Sequence, residues 1–196
     1  MTTTAANGAG GSAAHPRFAE ALDRLGLGEL RTRVLRLPGA ARTAEQAAAA
    51  LGCEPGRICK SLIFTAWQSP LPGEGEGPRE GDGPREGDGP REGEPVLVLM
   101  DGASRVDVEL VRRELGAGRV TRARADVVRE TTGYAIGGVP PFGHRRRTRV
   151  LADRGLLEQE VVWAAAGDPH AVFPIAPDAL VAHAGATVVD VRERTA

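Results

Sequence analysis

The segment ICKSLIFTA, residues 58–66, is the strongest strand signal in the chain. Its residues alternate between two faces: Ile58, Lys60, Leu62 and Phe64 share one, and the residues between them share the other. A second apolar segment, VLVLM at 96–100, follows after a stretch that has nothing to bury. We therefore expect the two segments to pair as a hairpin, with Lys60 in the middle of its first strand.

Lys60 is the single lysine among 25 basic residues, and the other 24 are arginines. The two residue types exchange freely on a solvated surface, but not where a compact point charge must meet an anion in a tight pocket. One interpretation is the chance survival of a surface lysine. The position of Lys60 between apolar neighbours in a strand favours the other, a site that excludes a guanidinium.

Length and composition indicate one cytoplasmic domain. A chain of 196 residues and 20.5 kDa can bury a sizeable core, which is aliphatic because aromatic residues make up only 4%. Cys53 and Cys59 are too few for a disulfide framework and lack the spacing of a zinc site, so we expect buried thiols in a reducing compartment. Residues 1–15 resemble neither a secretory signal nor a membrane span and are predicted to be a disordered tail.

Residues 73–95 form a short repeat, GPREGD in about three copies, composed of Gly, Pro, Glu, Asp and Arg. Nothing in it can pack, so it is predicted to be a disordered insertion in the hairpin connection, where added length costs little. The domain is expected to span 16–196 around it. The segment holds eight acids and three arginines, so the rest of the chain carries +4 although the whole carries −1. A net charge of +4 fits contact with one end of a nucleic acid better than binding along a duplex.

Periodicity and capping residues predict the other elements. Thr43 with Gln46 has the spacing of a capping box, Asp107 suits a helix N-cap, and Pro177 suits a first helical turn. Strands outnumber helices without strict alternation, which favours a mixed α/β domain over a doubly wound nucleotide-binding fold. The expected helices span 17–26, 43–52, 107–115, 125–131 and 177–185, and the expected strands 34–38, 58–66, 96–100, a short strand near Val120, 148–153, 160–166, 170–175 and 186–191.

The segment TTGYAIGGVPPFGH, residues 131–144, breaks all periodicity. Glycines let backbone N–H groups approach a ligand closely, and prolines keep those donors aimed, as a developing oxyanion requires. An ordinary turn is the alternative. Neither a phosphate-binding GxxxxGK[ST] motif nor a GxGxxG motif is present, and the chain has no G-x-S-x-G or H-E-x-x-H motif.

Taken together, these motifs resemble the YbaK-type aminoacyl-tRNA deacylases, relatives of the editing domain inserted in prolyl-tRNA synthetases. The resemblance rests on Lys60-Ser61-Leu62 in its strand, on the G-x-x-x-P motif from Gly137 to Pro141, and on AAAGDPHAVFPI near the end. It covers about residues 17–192 apart from the insertion. It implies a single α/β domain of mixed α+β type, with a mixed, partly barrel-like sheet and flanking helices.

The resemblance also implies hydrolysis, in trans, of the ester that joins a wrong amino acid to the 3′ end of a tRNA, without a metal or organic cofactor. Lys60 would hold the terminal nucleotide, and Gly137, Gly138 and neighbouring amides would orient the scissile ester. Val139, Pro140 and Pro141 would line the pocket. The terminal ribose hydroxyl would help to activate the nucleophile, since no side chain is an evident general base.

Further candidates surround these motifs. His170 either lines the pocket or is an ordinary core or surface histidine. Asp168 binds the substrate ammonium or, more simply, shapes a turn. Tyr134 stacks on the substrate or packs at the base of the loop. Ser61 faces away from Lys60 and would serve through a local hydrogen bond. The basic run that contains Arg145, Arg146 and Arg147 is either a contact for tRNA phosphates or a solvated turn.

Three classes of function stay open at this point: a deacylase, a module that binds aminoacyl-tRNA or a nucleotide without turnover, and an interaction protein that uses the acidic repeat. For the deacylase, we expect a small amino acid such as Cys, Ala or Ser on tRNA(Pro) or a similar tRNA. An aminoacyl-tRNA synthetase is a further expected partner, a membrane is not, and the chain is expected to be a monomer. Which amino acid is edited depends on pocket volume and one or two polar contacts.

Overall fold

One mixed sheet organises the molecule. The computed structural model describes residues 13–41, 43–68 and 93–194. The helices are α1 (Pro16–Arg24), α2 (Ala44–Leu51), α3 (Val108–Leu115), α4 (Ala125–Thr132) and α5 (Pro177–Ala184), and the strands are β1 (Leu35–Arg36), β2 (Ile58–Trp67), β3 (Glu94–Asp101), β4 (Arg119–Arg122), β5 (Arg149–Asp153), β6 (Val162–Ala165), β7 (Ala171–Ile175) and β8 (Thr187–Val189). Single 3₁₀ turns span Gly28–Arg33, Pro55–Arg57 and Arg154–Glu158.

The strand order is β1-β7-β6-β2-β3-β5-β8, with β4 attached to β2 beside this path. The pairs β2–β6, β3–β5 and β5–β8 are parallel, and β2–β3, β2–β4, β6–β7 and β1–β7 are antiparallel. The predicted mixed α/β class is therefore confirmed, and so is the hairpin pairing of β2 with β3. In the described strands the order does not close into a ring.

Side chains that alternate along β2 and β3 pack into two separate hydrophobic clusters. Cys59 and Ile63 pack with Leu97 and Leu99 in a cluster that contains the buried phenylalanines of α1 and β7. Phe64 instead packs with α3, β4 and β5 through a second cluster. A smaller cluster joins the alanine face of α2 to Ile58 and Val172. The two faces assigned to the strand from its sequence are thus the two faces observed.

The caps follow from the sequence as expected. Thr43 accepts a hydrogen bond from the Gln46 N–H at the start of α2, and Asp107 caps α3 through the N–H groups of the next turn. Gly52 and Gly116 end these helices in the left-handed conformation, with φ of 65° and 61°. Pro177 is the first residue of α5.

Several boundaries differ from the prediction. Helix α1 ends at Arg24 because Leu25 already serves as its C-cap, and β1 keeps only two residues beside the unpredicted turn at Gly28–Arg33. Strand β8 stops at Val189 because the Val191 N–H and C=O bond instead to Asp153 and Asp107.

Packed residues precede the predicted domain start at residue 16. Ala14 is buried, and the His15 N–H donates to the Ala166 carbonyl while the His15 side chain caps α1. At the insertion, Glu94 and Pro95 already belong to β3, opposite Ala66 and Thr65. Residues 1–12 and 73–92, the rest of the predicted tail and insertion, lie outside the described residues.

Candidate active site

The sheet splits along one edge of β2. The opposite edge pairs with β3 from Cys59 to Ala66. On the split edge, β6 pairs with Ile58 and Cys59, and β4 pairs only from Phe64 onward. Residues 60–63 therefore face none of the described strands on that side. The Ile63 carbonyl accepts the Ala123 N–H there, so Ser61, two residues earlier, turns its own N–H and C=O to the same opening.

A cavity of about 240 Å³ fills this opening. Lys60 and Ser61 both line it although they point to opposite faces of β2, which indicates that the cavity reaches both faces at the gap. The rest of the wall is mostly apolar, with a few polar groups at its edges. It consists of Ala41, Thr43, Ala44, Ala47, Ile58, Cys59, Leu62, Ile63, Arg122, Ala123, Val128, Ile136, Gly137, Val139, Trp163, Ala165, Asp168, Pro169 and Val172.

The Lys60 ammonium is half-buried and donates hydrogen bonds to the carbonyl oxygens of Gly102, at 3.1 Å, and Ser104. An ammonium has three N–H donors, and acceptors among the described residues take two of them, which leaves the third for a ligand. Burial lowers the pKa of Lys60, while the nearby charges of Asp101 and Glu45 oppose the shift. Lys60 is thus a fixed cation at the wall of the cavity, and its donors are aimed by a neighbouring loop.

The Ser61 hydroxyl is buried and has no hydrogen-bond partner among the described residues. Nearly all buried polar groups in native proteins are satisfied, so an orphaned hydroxyl in a cavity wall calls for a partner that enters the cavity. The Cys59 thiol beside it is no nucleophile, since burial raises its pKa to about 12.

The Gly/Pro-rich loop reaches the cavity through Gly137 and Val139. Gly137 adopts φ of 87°, a conformation that favours glycine. The Gly138 amide was expected to orient the scissile ester. Its N–H instead donates to the Ala135 carbonyl and is not free for a substrate oxygen. A Cβ at Gly138 would come within 3.0 Å of the backbone of Asp168, so this glycine sets the close contact between the loop and the 168 turn.

Four expected pocket residues lie outside the cavity wall. Pro140 and Pro141 are buried, and the Pro140 carbonyl contacts Nε2 of His144 at 2.7 Å. Tyr134 is buried at the base of the loop, where its hydroxyl donates to the Gly143 carbonyl at 3.2 Å. His170 is half-buried and belongs to a turn through its main chain. Packing at the loop base, rather than contact with the cavity, explains the prolines and the tyrosine.

Asp168 does line the cavity and also shapes a turn. Its Oδ1 accepts the His170 N–H at 2.7 Å, and its carbonyl accepts the Ala171 N–H. Oδ2 takes no part in this turn, so both of the roles considered for Asp168 from the sequence are open to it.

The arginine run borders a second, more open cavity of about 630 Å³. Arg145, Arg146 and Arg147 are exposed there, and Arg24 on α1 lies at the same cavity. Arg146 forms an exposed ion pair with Glu130 at 3.3 Å. The loop from Gly137 to Thr148 borders both cavities, one with its first half and the other with its second.

The family follows from comparison with known proteins. Residues 39–182 match the model of the aminoacyl-tRNA editing domain. The chain belongs to this family. A candidate trans-editing enzyme for prolyl tRNA synthetase has a solved structure that superimposes on this editing domain with a TM-score of 0.72, 36% identity and coverage of 91% of this chain and 96% of that one.

Two further relatives are less informative about activity. The hypothetical protein APE2540 has a solved structure with a TM-score of 0.69 and 29% identity, which covers 90% of this chain and 99% of its own. The uncharacterized protein YwhH of Bacillus subtilis (strain 168) is 28% identical over 138 residues, 70% of this chain and 72% of its own.

Sequence reasoning missed part of the editing-domain site. Arg122 and Trp163 lie on short strands, and Ala44 and Ala47 of α2 carry no polar signal, yet these four residues line the cavity. The loop 101–104, which binds Lys60, was also missed; its single cue is the Asp-Gly pair after β3. In the described part of the chain, no group of three or more His, Cys, Asp or Glu side chains is placed to hold a metal ion. The same residues include no helix long and apolar enough to cross a membrane.

Proposed function

We propose that this editing domain hydrolyses mischarged aminoacyl-tRNA in trans, as a carboxylic ester hydrolase. One observation carries the proposal: the gap in the sheet brings Lys60, Gly137 and Ser61, whose hydroxyl has no partner in the described part of the chain, to one small cavity. Membership of the editing family and likeness to a candidate trans-editing enzyme for prolyl tRNA synthetase support it.

In this proposal, the remaining N–H donor of Lys60 binds the terminal nucleotide of the tRNA. Ser61, through its hydroxyl and its main-chain N–H, and the Gly137 amide orient the ester carbonyl and stabilise the charge that develops on its oxygen. Water attacks the carbonyl carbon, the bond between that carbon and the ribose oxygen breaks, and the ribose oxygen takes up a proton. The neighbouring ribose hydroxyl assists the attack. This assistance is sufficient because an ester is already reactive and positioning supplies much of the rate.

We propose a small amino acid such as Cys, Ala or Ser as the substrate's acyl group, on tRNA(Pro) or a similar tRNA. Ala41, Ala44 and Ala47 present methyl groups to a cavity of about 240 Å³, which must also admit part of the terminal nucleotide. Asp168 Oδ2 is the group we assign to the substrate ammonium. Arg145, Arg146 and Arg147 would contact phosphates of the acceptor end, and an aminoacyl-tRNA synthetase would supply the substrate.

The test is a deacylation assay with labelled Ala-, Cys- and Ser-tRNA(Pro). We expect release of at least one amino acid well above the buffer rate, and loss of that release in Lys60→Ala. Arg31→Gln is the matched control, since Arg31 lies on the 3₁₀ turn after α1 in an exposed ion pair with Asp23. Binding of these tRNAs without any release would instead favour the non-catalytic module.

A further inference from the structure

Two buried carboxylates share one guanidinium at the end of the sheet. The side chains of Asp101 and Asp153 are 6% and 3% exposed, and Nη2 of Arg192 lies 2.8 Å from Asp101 Oδ2 and 3.2 Å from Asp153 Oδ1. A buried carboxylate without a partner is strongly destabilising. Arg192 therefore serves two adjacent parallel strands, β3 and β5, at the point where both end.

The Arg192 guanidinium fits closely against the surrounding backbone. Asp153 accepts the N–H groups of Gly155 and Val191, which fixes the residue just before Arg192 and the glycine against which its guanidinium packs. A Cβ at Gly155 would lie only 1.5 Å from Arg192 Nη2, so the guanidinium packs directly on this glycine. Such a fit makes the arginine part of the architecture at the end of the sheet.

Asp101, held by Arg192, in turn holds the turn 101–104. Its Oδ1 accepts the N–H groups of Ala103 and Ser104 at 2.9 and 3.0 Å, which closes the turn 101–104. Gly102 fixes the other side of the turn, because a Cβ there would lie 2.2 Å from the Pro55 carbonyl. The carbonyls of Gly102 and Ser104 are the two that hold the Lys60 ammonium.

We propose that Asp101 and Arg192 are positioning residues for Lys60: Arg192 holds the Asp101 carboxylate, and Asp101 holds the turn whose carbonyls aim the ammonium into the cavity. Neither residue touches the substrate. The value of this arrangement for catalysis rests on the proposed function, but the arrangement itself can be tested without it.

The single lysine makes the test direct. Protein labelled with ¹³C-lysine gives one side-chain Cε signal, from Lys60 alone. In Asp101→Asn the amide oxygen can still accept the two N–H groups, but the negative charge that favours the Lys60 ammonium is lost. We expect the Lys60 pKa to fall below its wild-type value in this variant, while Glu45, Arg105 and Arg122, the other charges that act on Lys60, stay in place.

In Arg192→Gln we expect a displaced Lys60 signal and a deacylation kcat lowered about tenfold, because a loosened ammonium is misplaced at the reacting ester. KM should change less. Arg192→Lys should restore part of the rate. Arg194→Gln, an exposed neighbour, is the matched control and should leave both the signal and the rate at wild-type values.

Folded Asp101→Asn and Arg192→Gln proteins with the wild-type Lys60 shift and pKa would overturn the proposal. If either variant does not fold, hydrogen exchange on the wild-type protein decides instead: the Ala103 and Ser104 amides should exchange more slowly than the exposed Arg105 amide, and equal exchange would contradict the closed turn. Should no aminoacyl-tRNA be deacylated by the wild type, the proposed function fails, while the Lys60 signal still decides this inference.

Discussion

Two loops shape the site, one through Lys60 and one as part of the cavity wall, and they are held in different ways. The turn 101–104 is held by charge: a carboxylate binds two of its N–H groups and a guanidinium binds the carboxylate. The loop 133–143 is held by close packing. Gly138 abuts the backbone of Asp168, and Phe142 packs its ring on Phe18 and Phe173.

This difference separates two tasks. The charged turn binds the Lys60 ammonium and therefore controls where a positive charge stands. The packed loop supplies Ile136, Gly137 and Val139 to the wall and therefore controls the volume left for the amino acid. Damage to the turn should appear as a loss of rate, and damage to the loop as a change in which amino acid is preferred.

Lys60→Arg should have the largest effect. The ammonium fits between two carbonyls in a half-buried position, and a longer planar guanidinium cannot take the same place. We expect deacylation to fall about 100-fold although the charge is kept. The reverse exchange at an exposed site, Arg31→Lys, should leave kcat/KM unchanged. Activity of the Lys60→Arg protein close to wild type would show that charge alone matters at this position.

Gly102→Ala should come next, because it moves the turn without touching Lys60. The added methyl would lie 2.2 Å from the Pro55 carbonyl and 2.8 Å from Ala44 Cβ, so backbone must shift. Overpacking of this kind costs about 1–3 kcal/mol of unfolding free energy. We expect that loss in chemical denaturation, together with a displaced Lys60 signal and a reduced kcat.

The control for this variant lies in the 3₁₀ turn at Pro55–Arg57. At Gly56 a Cβ would have its nearest neighbour at 3.7 Å, on the side chain of Gln159, so Gly56→Ala should be neutral for stability and rate. If Gly102→Ala behaves like Gly56→Ala, the turn is not rigid and does not aim the lysine.

The contrast between the loops also explains what the sequence could reveal. Local signals work for elements whose cause is local, and so the caps at Thr43, Asp107 and Pro177 were predicted correctly. The Gly/Pro loop was recognised for the same reason. The Asp101 carboxylate that closes the turn 101–104 is itself held by Arg192, 91 residues away, and no spacing along the chain reports that contact.

The position of Ser61 shows a second limit. Alternation correctly assigned it to the face opposite Lys60, from where it was expected to serve the site through a local hydrogen bond. The gap in the sheet lets Ser61 line the cavity itself. The sheet is broken, because β6 leaves β2 after Cys59 and β4 joins at Phe64. Strand exchange along one edge depends on long-range pairing, which periodicity does not encode.

Gly138→Ala tests the packed loop. The added Cβ would lie 3.0 Å from Cα and N of Asp168, so the loop or the 168 turn must shift by a few tenths of an ångström. We expect about 1 kcal/mol lower unfolding free energy and a changed ratio of Ala-tRNA to Ser-tRNA deacylation, with the Lys60 signal unmoved.

The control for the loop is Gly39→Ala, where a Cβ would meet no atom within 4 Å. That variant should match the wild type in stability and in selectivity. A displaced Lys60 signal in Gly138→Ala would mean that the two loops move together and that their tasks are not separate.

The smallest effects are expected beyond both loops, in the arginine run. A phosphate contact contributes charge rather than geometry, so Arg145→Gln and Arg147→Gln should raise KM a few-fold, leave kcat unchanged and weaken the dependence of KM on salt. Arg146→Gln should do less, because Glu130 already neutralises part of its charge. Arg113→Gln, exposed on α3, is the control. An equal salt dependence in all four variants would assign the run to the solvated surface and leave tRNA binding to the cavity between the loops.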